Sequence, residues 1–180
     1  MTPRLAIRLN ALALYAISGV LLFAFYWQFA YDELPCPLCL LQRVAITALA
    51  VGPVLTLRHG PKPGNYGLAI IAALLGAAIS ARQILLHILP GDAGFGSAFL
   101  GLHFYSWAFL FFVSAMLAAG VMLTFNKQFA PEAKAPTIGT IEGLAIWLII
   151  SLTALNAASA LLECGFSGCP GNPVRYELLN

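Results

Sequence analysis

The chain has 180 residues, of which 61% are hydrophobic and 9% charged; its net charge is +2 and its mean hydropathy +0.87. Soluble domains carry roughly 45–50% apolar and about 25% charged residues, so a soluble globular domain is excluded and an integral membrane protein is expected. The basic residues are spread thinly along the chain, which leaves no concentrated surface for nucleic acid, and no such partner is expected.

Five runs lack nearly all charge, at about 9–30, 39–57, 66–88, 104–125 and 139–161. Each approaches the ~20 residues that a helix needs to cross a hydrocarbon core of ~30 Å. Backbone amides in that core must be bonded within the segment, so the runs are read as helices. The expected fold class is an all-α bundle of five transmembrane helices, forming one domain over residues 1–180. The first run is longer than the ~7–15 apolar residues of a signal peptide, so it is expected to stay as the first helix.

Basic residues set the expected orientation. Arg4 and Arg8 precede the first span, Arg58 and Lys62 follow the second, and Lys127 and Lys134 follow the fourth. By the positive-inside rule these segments are cytoplasmic, and the loops 31–38 and 89–103 and the tail 163–180 face outward. The second and fourth connections, 58–65 and 130–136, are rich in Gly and Pro and read as short tethers. In the outer loop, the aromatic stretch from Phe99 to Trp107 is expected to lie along the membrane surface before the fourth span enters it. Trp27 and Trp107 are read as anchors of an aromatic belt.

All four cysteines fall on the outer side: Cys36 and Cys39 in Pro35-Cys36-Pro37-Leu38-Cys39, and Cys164 and Cys169 in Cys164-Gly165-Phe166-Ser167-Gly168-Cys169. A bacterial periplasm is oxidising, and disulfides persist there. Two thiols three positions apart at a helix start can close a small ring, and the helix terminus is expected to favour the Cys39 thiolate. Arg43, one turn further on, is expected within reach of the Cys39 sulfur. The competing readings are an Arg43 that snorkels to the interface, an inert Cys36–Cys39 staple, and a zinc site, for which the second spacing is poor. The second pair sits in a Gly- and Pro-rich tail and reads as a mobile donor to a fixed acceptor, or as a plain staple for that tail. Arg82, Gln83, His87 and His103 lie toward the outer end of the bundle. Arg82, Gln83 and His87 are candidates to bond quinone carbonyls or to manage the protons taken up on reduction, and His103 could serve instead.

Cys36-Pro37-Leu38-Cys39-Leu40-Leu41-Gln42-Arg43 resembles the Cys-x-x-Cys-x-x-x-Arg signature of the disulfide bond formation protein B family. The resemblance is expected to run through the first four spans, including 81–90 and 101–107. It implies a membrane quinone reductase that reoxidises a periplasmic thioredoxin-like thiol oxidase, with ubiquinone or menaquinone as cofactor. It further implies that quinone oxidises the Cys36 and Cys39 pair, that Cys39 contacts the quinone ring and that Arg43 assists. The family's best-known members have four spans and keep the second pair between the third and fourth, whereas here that pair, Cys164 and Cys169, follows a fifth. The expected route is therefore from a reduced partner to Cys164 and Cys169, on to Cys36 and Cys39, and on to quinone in a bacterial inner membrane. A small transporter or channel component, with Arg43 and Arg82 lining a pathway, is the rival reading.

Overall fold

A computed structural model describes residues 1–130 and 137–179. In chain order its elements are α1 (Pro3–Ala30), α2 (Pro37–Leu49), α3 (Val51–His59), α4 (Pro63–Leu86), β1 (Ala98–Phe99), β2 (Leu102–His103), α5 (Phe104–Leu123), a 3-10 turn at Asn126–Phe129, and α6 (Thr140–Cys164). Among the described residues five stretches are long and apolar enough to cross a membrane, with α2 and α3 together making the second. The fold is the expected all-α membrane bundle. Part of the connection between the fourth and fifth spans, including Lys134, lies outside the described residues.

Three helices begin on proline, at Pro3, Pro37 and Pro63. The first turn of a helix has no use for that residue's missing N–H, and its fixed φ is already helical. Proline also explains why the second span is two helices. Pro53 cannot donate to Leu49, so the ladder closes at Ala50, whose N–H turns to Thr47 O at 3.1 Å, and resumes where Val54 N–H donates to Ala50 O at 3.0 Å.

Helix α4 packs against α5 and α2, while α1 packs against α6 and α3. In lipid, association depends on close packing at small residues rather than on exclusion of water. Gly76 supplies such a place: the ring of fully buried Phe112 from α5 occupies the space that any Cβ there would need. At the end of the bundle that carries Asn10, Asn10 Nδ2 donates to Tyr66 Oη at 3.1 Å, and Tyr66 donates to Gln128 Oε1 at 2.8 Å. This chain of bonds ties α1, α4 and the turn after α5 together without leaving a buried donor unused.

Helices α1 and α6 run parallel, since Tyr15 donates to Ile141 O near one end while Gln28 donates to Ser159 near the other. Both cysteine pairs therefore lie at the same end of the bundle. The stretch Phe99–Trp107 departs from expectation. It is not one continuous segment: it forms the hairpin β1–β2, which pairs Ala98 with His103 and Phe99 with Leu102, and then enters α5. Leu100 and Gly101 form its turn with φ of 50° and 81°, the positive pair that a tight two-residue hairpin requires.

Candidate functional site

Cys36 and Cys39 form a disulfide with Cα atoms 4.9 Å apart. Pro37 occupies the first helical position, so Cys36 becomes the N-cap of α2, and its sulfur accepts the Cys39 backbone N–H at 3.1 Å. The helix terminus thus serves Cys36, not Cys39 as the spacing suggested, because the capping position faces back toward the first free amides. A second donor meets the same sulfur. Gln83 Nε2, from α4, lies 3.2 Å from Cys36 Sγ and 3.7 Å from Cys39 Sγ, and Gln83 Oε1 accepts from Gln42 Nε2 at 3.0 Å.

Arg43 is buried at 7% exposure, so it does not snorkel. Its bonds leave the cysteines and cross to α1: Nη1 donates to Gln28 Oε1 at 2.7 Å and Nη2 to Ala24 O at 3.1 Å, with the guanidinium 5.0 Å from the Phe25 ring centroid. No hydrogen bond from Arg43 to the Cys39 sulfur is found among the described residues, because a carbonyl and an amide oxygen on the facing helix offer stronger acceptors than a disulfide. Gln28 continues the connection, donating from Nε2 to Ser159 Oγ at 3.1 Å and to Tyr176 Oη at 2.8 Å.

Between α1, α2 and α5 lies a cleft of about 640 Å³. Its walls are mostly apolar and rich in aromatic rings, and Cys39, Gln42, Arg43 and Gln28 bring polar atoms to it. That combination, a largely apolar hollow with a few convergent polar groups, is the usual form of a small-molecule site. The two tryptophans read as belt anchors also hold the hairpin over this cleft. Trp27 Nε1 donates to Ser97 Oγ at 2.9 Å, Trp107 Nε1 donates to Phe99 O at 2.9 Å, and Ser97 N–H donates to Glu33 Oε2 at 3.2 Å. Phe23, Trp27, Phe99 and Phe104 pack ring against ring around the same point.

The other two proposed binders stand elsewhere. Arg82 is exposed and does not line the cleft, because the α4 face that meets α2 presents its neighbour Gln83. His87 closes α4, outside the cleft, with Nδ1 3.0 Å from Asp92 Oδ1 and its ring stacked on Tyr105. The Gly94 N–H, at 2.7 Å, and then His87 hold the Asp92 carboxyl below its ordinary range. His103 stacks on the other neighbour of this group, at 5.2 Å between its ring centroid and that of Tyr105.

Cys164, the last residue of α6, is disulfide-bonded to Cys169 with Cα atoms 4.4 Å apart. The following chain is less free than its glycines and prolines suggested. It returns to the helix end, where Leu178 N–H donates to Leu162 O at 3.0 Å and Glu177 N–H to Glu163 O at 3.4 Å, while Tyr176 meets Gln28. Orphan carbonyls at the helix end are what make that return favourable. Glu163, at 1% exposure, is an electrostatic neighbour of Arg43. Gln28, Glu163 and Tyr176 were not singled out from the sequence, although a glutamine inside an apolar run and a carboxylate at its end are costly enough to be noticed.

A disulfide held by buried amides in the wall of an aromatic cleft, within a multi-pass bundle, defines a membrane-embedded thiol centre. The family model described as Disulfide bond formation protein DsbB matches residues 6–95. The chain belongs to the DsbB family. Proteins called Disulfide bond formation protein B from Chromobacterium violaceum, Xanthomonas axonopodis pv. citri and Hahella chejuensis are 40%, 43% and 40% identical to it over 103, 82 and 83 residues. Those stretches cover 53%, 43% and 43% of this chain, and 62%, 48% and 49% of the relatives. The chain thus spans about half to three fifths of the curated relatives it matches. No solved structure matches it significantly. The family match is shorter than the expected four spans: it ends at Phe95, before the hairpin, α5, α6 and the second cysteine pair.

Proposed function

We propose that the protein is a quinone-dependent thiol oxidase of a bacterial inner membrane, with both cysteine pairs on the periplasmic face. The observation that carries this reading is that Cys39 and Arg43 both line the aromatic cleft while Cys39 is half of a disulfide. A reduced thioredoxin-like dithiol would deliver electrons to Cys164–Cys169. A thiolate of the partner attacks one sulfur of that pair, the pair's bond breaks, and the partner's second thiol closes its own disulfide, leaving Cys164 and Cys169 reduced. The same exchange, repeated from the tail, reduces Cys36–Cys39. Phe166 and Val174, at 93% and 83% exposure, give the tail an apolar surface suited to such a partner.

The cleft fits a ubiquinone or menaquinone head. Its aromatic rings suit a flat head, and Arg43, whose guanidinium carries N–H groups beyond those bonded to Gln28 and Ala24, brings donors for a carbonyl oxygen. A quinone bound there would supply a two-electron acceptor that also takes up two protons. In this reading Arg43 holds a fixed positive charge against the cleft, Gln28 keeps its guanidinium aimed, and the hairpin held by Trp27 and Trp107 excludes water. The test is direct: the purified protein in detergent, given a reduced periplasmic dithiol and a short-chain quinone, should reduce the quinone stoichiometrically with dithiol oxidised. Dithiol oxidation that proceeds at the same rate without quinone would refute the proposal.

A further inference from the structure

Gln83 was a candidate for quinone carbonyls, yet it lies outside the cleft lining and its amide faces sulfur. We infer that Gln83 is the donor that sets the redox balance of the Cys36–Cys39 pair, and that Gln42 is the positioning residue that aims it. The inference rests on the reading of Cys36–Cys39 as an exchanging pair.

Three observations converge. Gln83 is 1% exposed and Gln42 5%, so water cannot replace either bond. Gln42 Nε2 donates to Gln83 Oε1 at 3.0 Å, which turns the Gln83 NH2 group toward the disulfide; the opposite orientation would set two NH2 groups against each other and a carbonyl against sulfur lone pairs. Cys36 Sγ then stands between two N–H donors, Cys39 N–H at 3.1 Å and Gln83 Nε2 at 3.2 Å, whereas Cys39 Sγ has Gln83 at 3.7 Å.

A disulfide sulfur accepts hydrogen bonds weakly, and a thiolate accepts them strongly. Reduction by a dithiol breaks the Cys36–Cys39 bond and forms one disulfide in the donor. It leaves two electrons and one proton on the pair, as a Cys36 thiolate and a Cys39 thiol, while the second proton goes to solvent. Both donors at Cys36 stabilise the product of this step far more than its reactant. The pair is thereby made easier to reduce, which suits an acceptor that must draw electrons from another cysteine pair in its reduced, dithiol form.

The test uses the full chain in detergent, equilibrated in dithiothreitol redox buffers, with the oxidation state of the Cys36–Cys39 peptide read by mass spectrometry after thiol trapping. Gln83→Met keeps length and burial but removes the donor, and should shift the equilibrium toward the disulfide by about tenfold, or about 30 mV for two electrons. Gln42→Met, which leaves Gln83 in place but unaimed, should give a smaller shift of the same sign and lower ultraviolet thiolate absorbance in the reduced protein. An unmoved equilibrium in a folded Gln83→Met, or in Gln42→Met should the former not fold, overturns the inference. A wild-type pair that does not exchange with the buffer overturns instead the redox reading beneath it.

Discussion

Gln28 accepts from Arg43 at 2.7 Å through one end of its amide and donates to Tyr176 at 2.8 Å through the other. One side chain of α1 therefore joins the cleft wall to the tail that carries the second cysteine pair. Replacing it by Leu removes both connections at once. Gln28→Leu should leave the Arg43 guanidinium short of an acceptor, lower quinone turnover by about tenfold, and raise hydrogen exchange at Leu178 and Glu177. Turnover reduced without any loosening of the tail would show that the two ends are not joined through this amide.

Arg43→Ala should affect stability as well as activity, because the guanidinium is buried and bonded to Gln28 and Ala24 rather than lying at the surface. Losing charged hydrogen bonds of this kind costs about 2 kcal/mol, to be read as earlier thermal unfolding in detergent. Arg43→Lys keeps the charge but lacks the planar fork that reaches both acceptors, so it should recover less than half of the lost turnover.

The two cysteine pairs separate by substitution. In Cys164→Ser, Cys169→Ser, oxidation of a protein dithiol should fall to background, whereas quinone should still oxidise chemically reduced Cys36–Cys39. Single variants should trap a mixed disulfide with the partner, and Cys169→Ser should trap more than Cys164→Ser. Full partner oxidation by the double variant would leave the tail pair with a structural role alone.

Orientation is open to labelling in intact cells. After reduction, a membrane-impermeant thiol reagent should modify both pairs from outside; labelling of either pair only after lysis would reverse the proposed topology.

Asp92 gives the loop between α4 and the hairpin a dependence on acid. Its folded carboxyl is held below the ordinary range, first by Gly94 N–H and then by His87. The folded state therefore binds fewer protons than the unfolded one, and the contribution of this turn is complete above the ordinary carboxylate range. It is lost as pH falls through the lowered value. Hydrogen exchange at Gly94 should accelerate below that point, and Asp92→Asn should remove the transition. An unchanged profile in Asp92→Asn would mean that the turn is held by other contacts.

Which parts of this molecule a sequence can reveal follows from how local each cause is. The spans are legible because each is a continuous apolar run, and Cys36, Cys39 and Arg43 are legible because each successive spacing, three residues and then four, is about one helix turn. The break at Ala50 has a local cause in Pro53, but the run reads as continuous because hydropathy does not register a missing N–H. The partners of Arg43 were out of reach for a different reason. Gln28 lies on another helix, and nothing in the spacing of α2 says that a guanidinium will turn toward α1. The same applies to Gln83, whose neighbour Arg82 carries the more conspicuous charge, while the rotation of α4 decides which of the two meets the disulfide. Trp27 and Trp107 look like interfacial anchors from composition; only the hairpin explains their N–H bonds.

The loop that begins at Cys164 is fixed at both its ends, by the helix on one side and by the return of Leu178 to Leu162 on the other. With its disulfide closed, Cys169 stays 4.4 Å from Cys164 between Cα atoms. Once the bond is reduced, the five-residue separation lets Cys169 extend at most about 17 Å from that fixed point. Oxidation state therefore sets reach: the oxidised loop is drawn in against the helix end, and the reduced loop sweeps a bounded radius in which any sulfur it is to meet must lie.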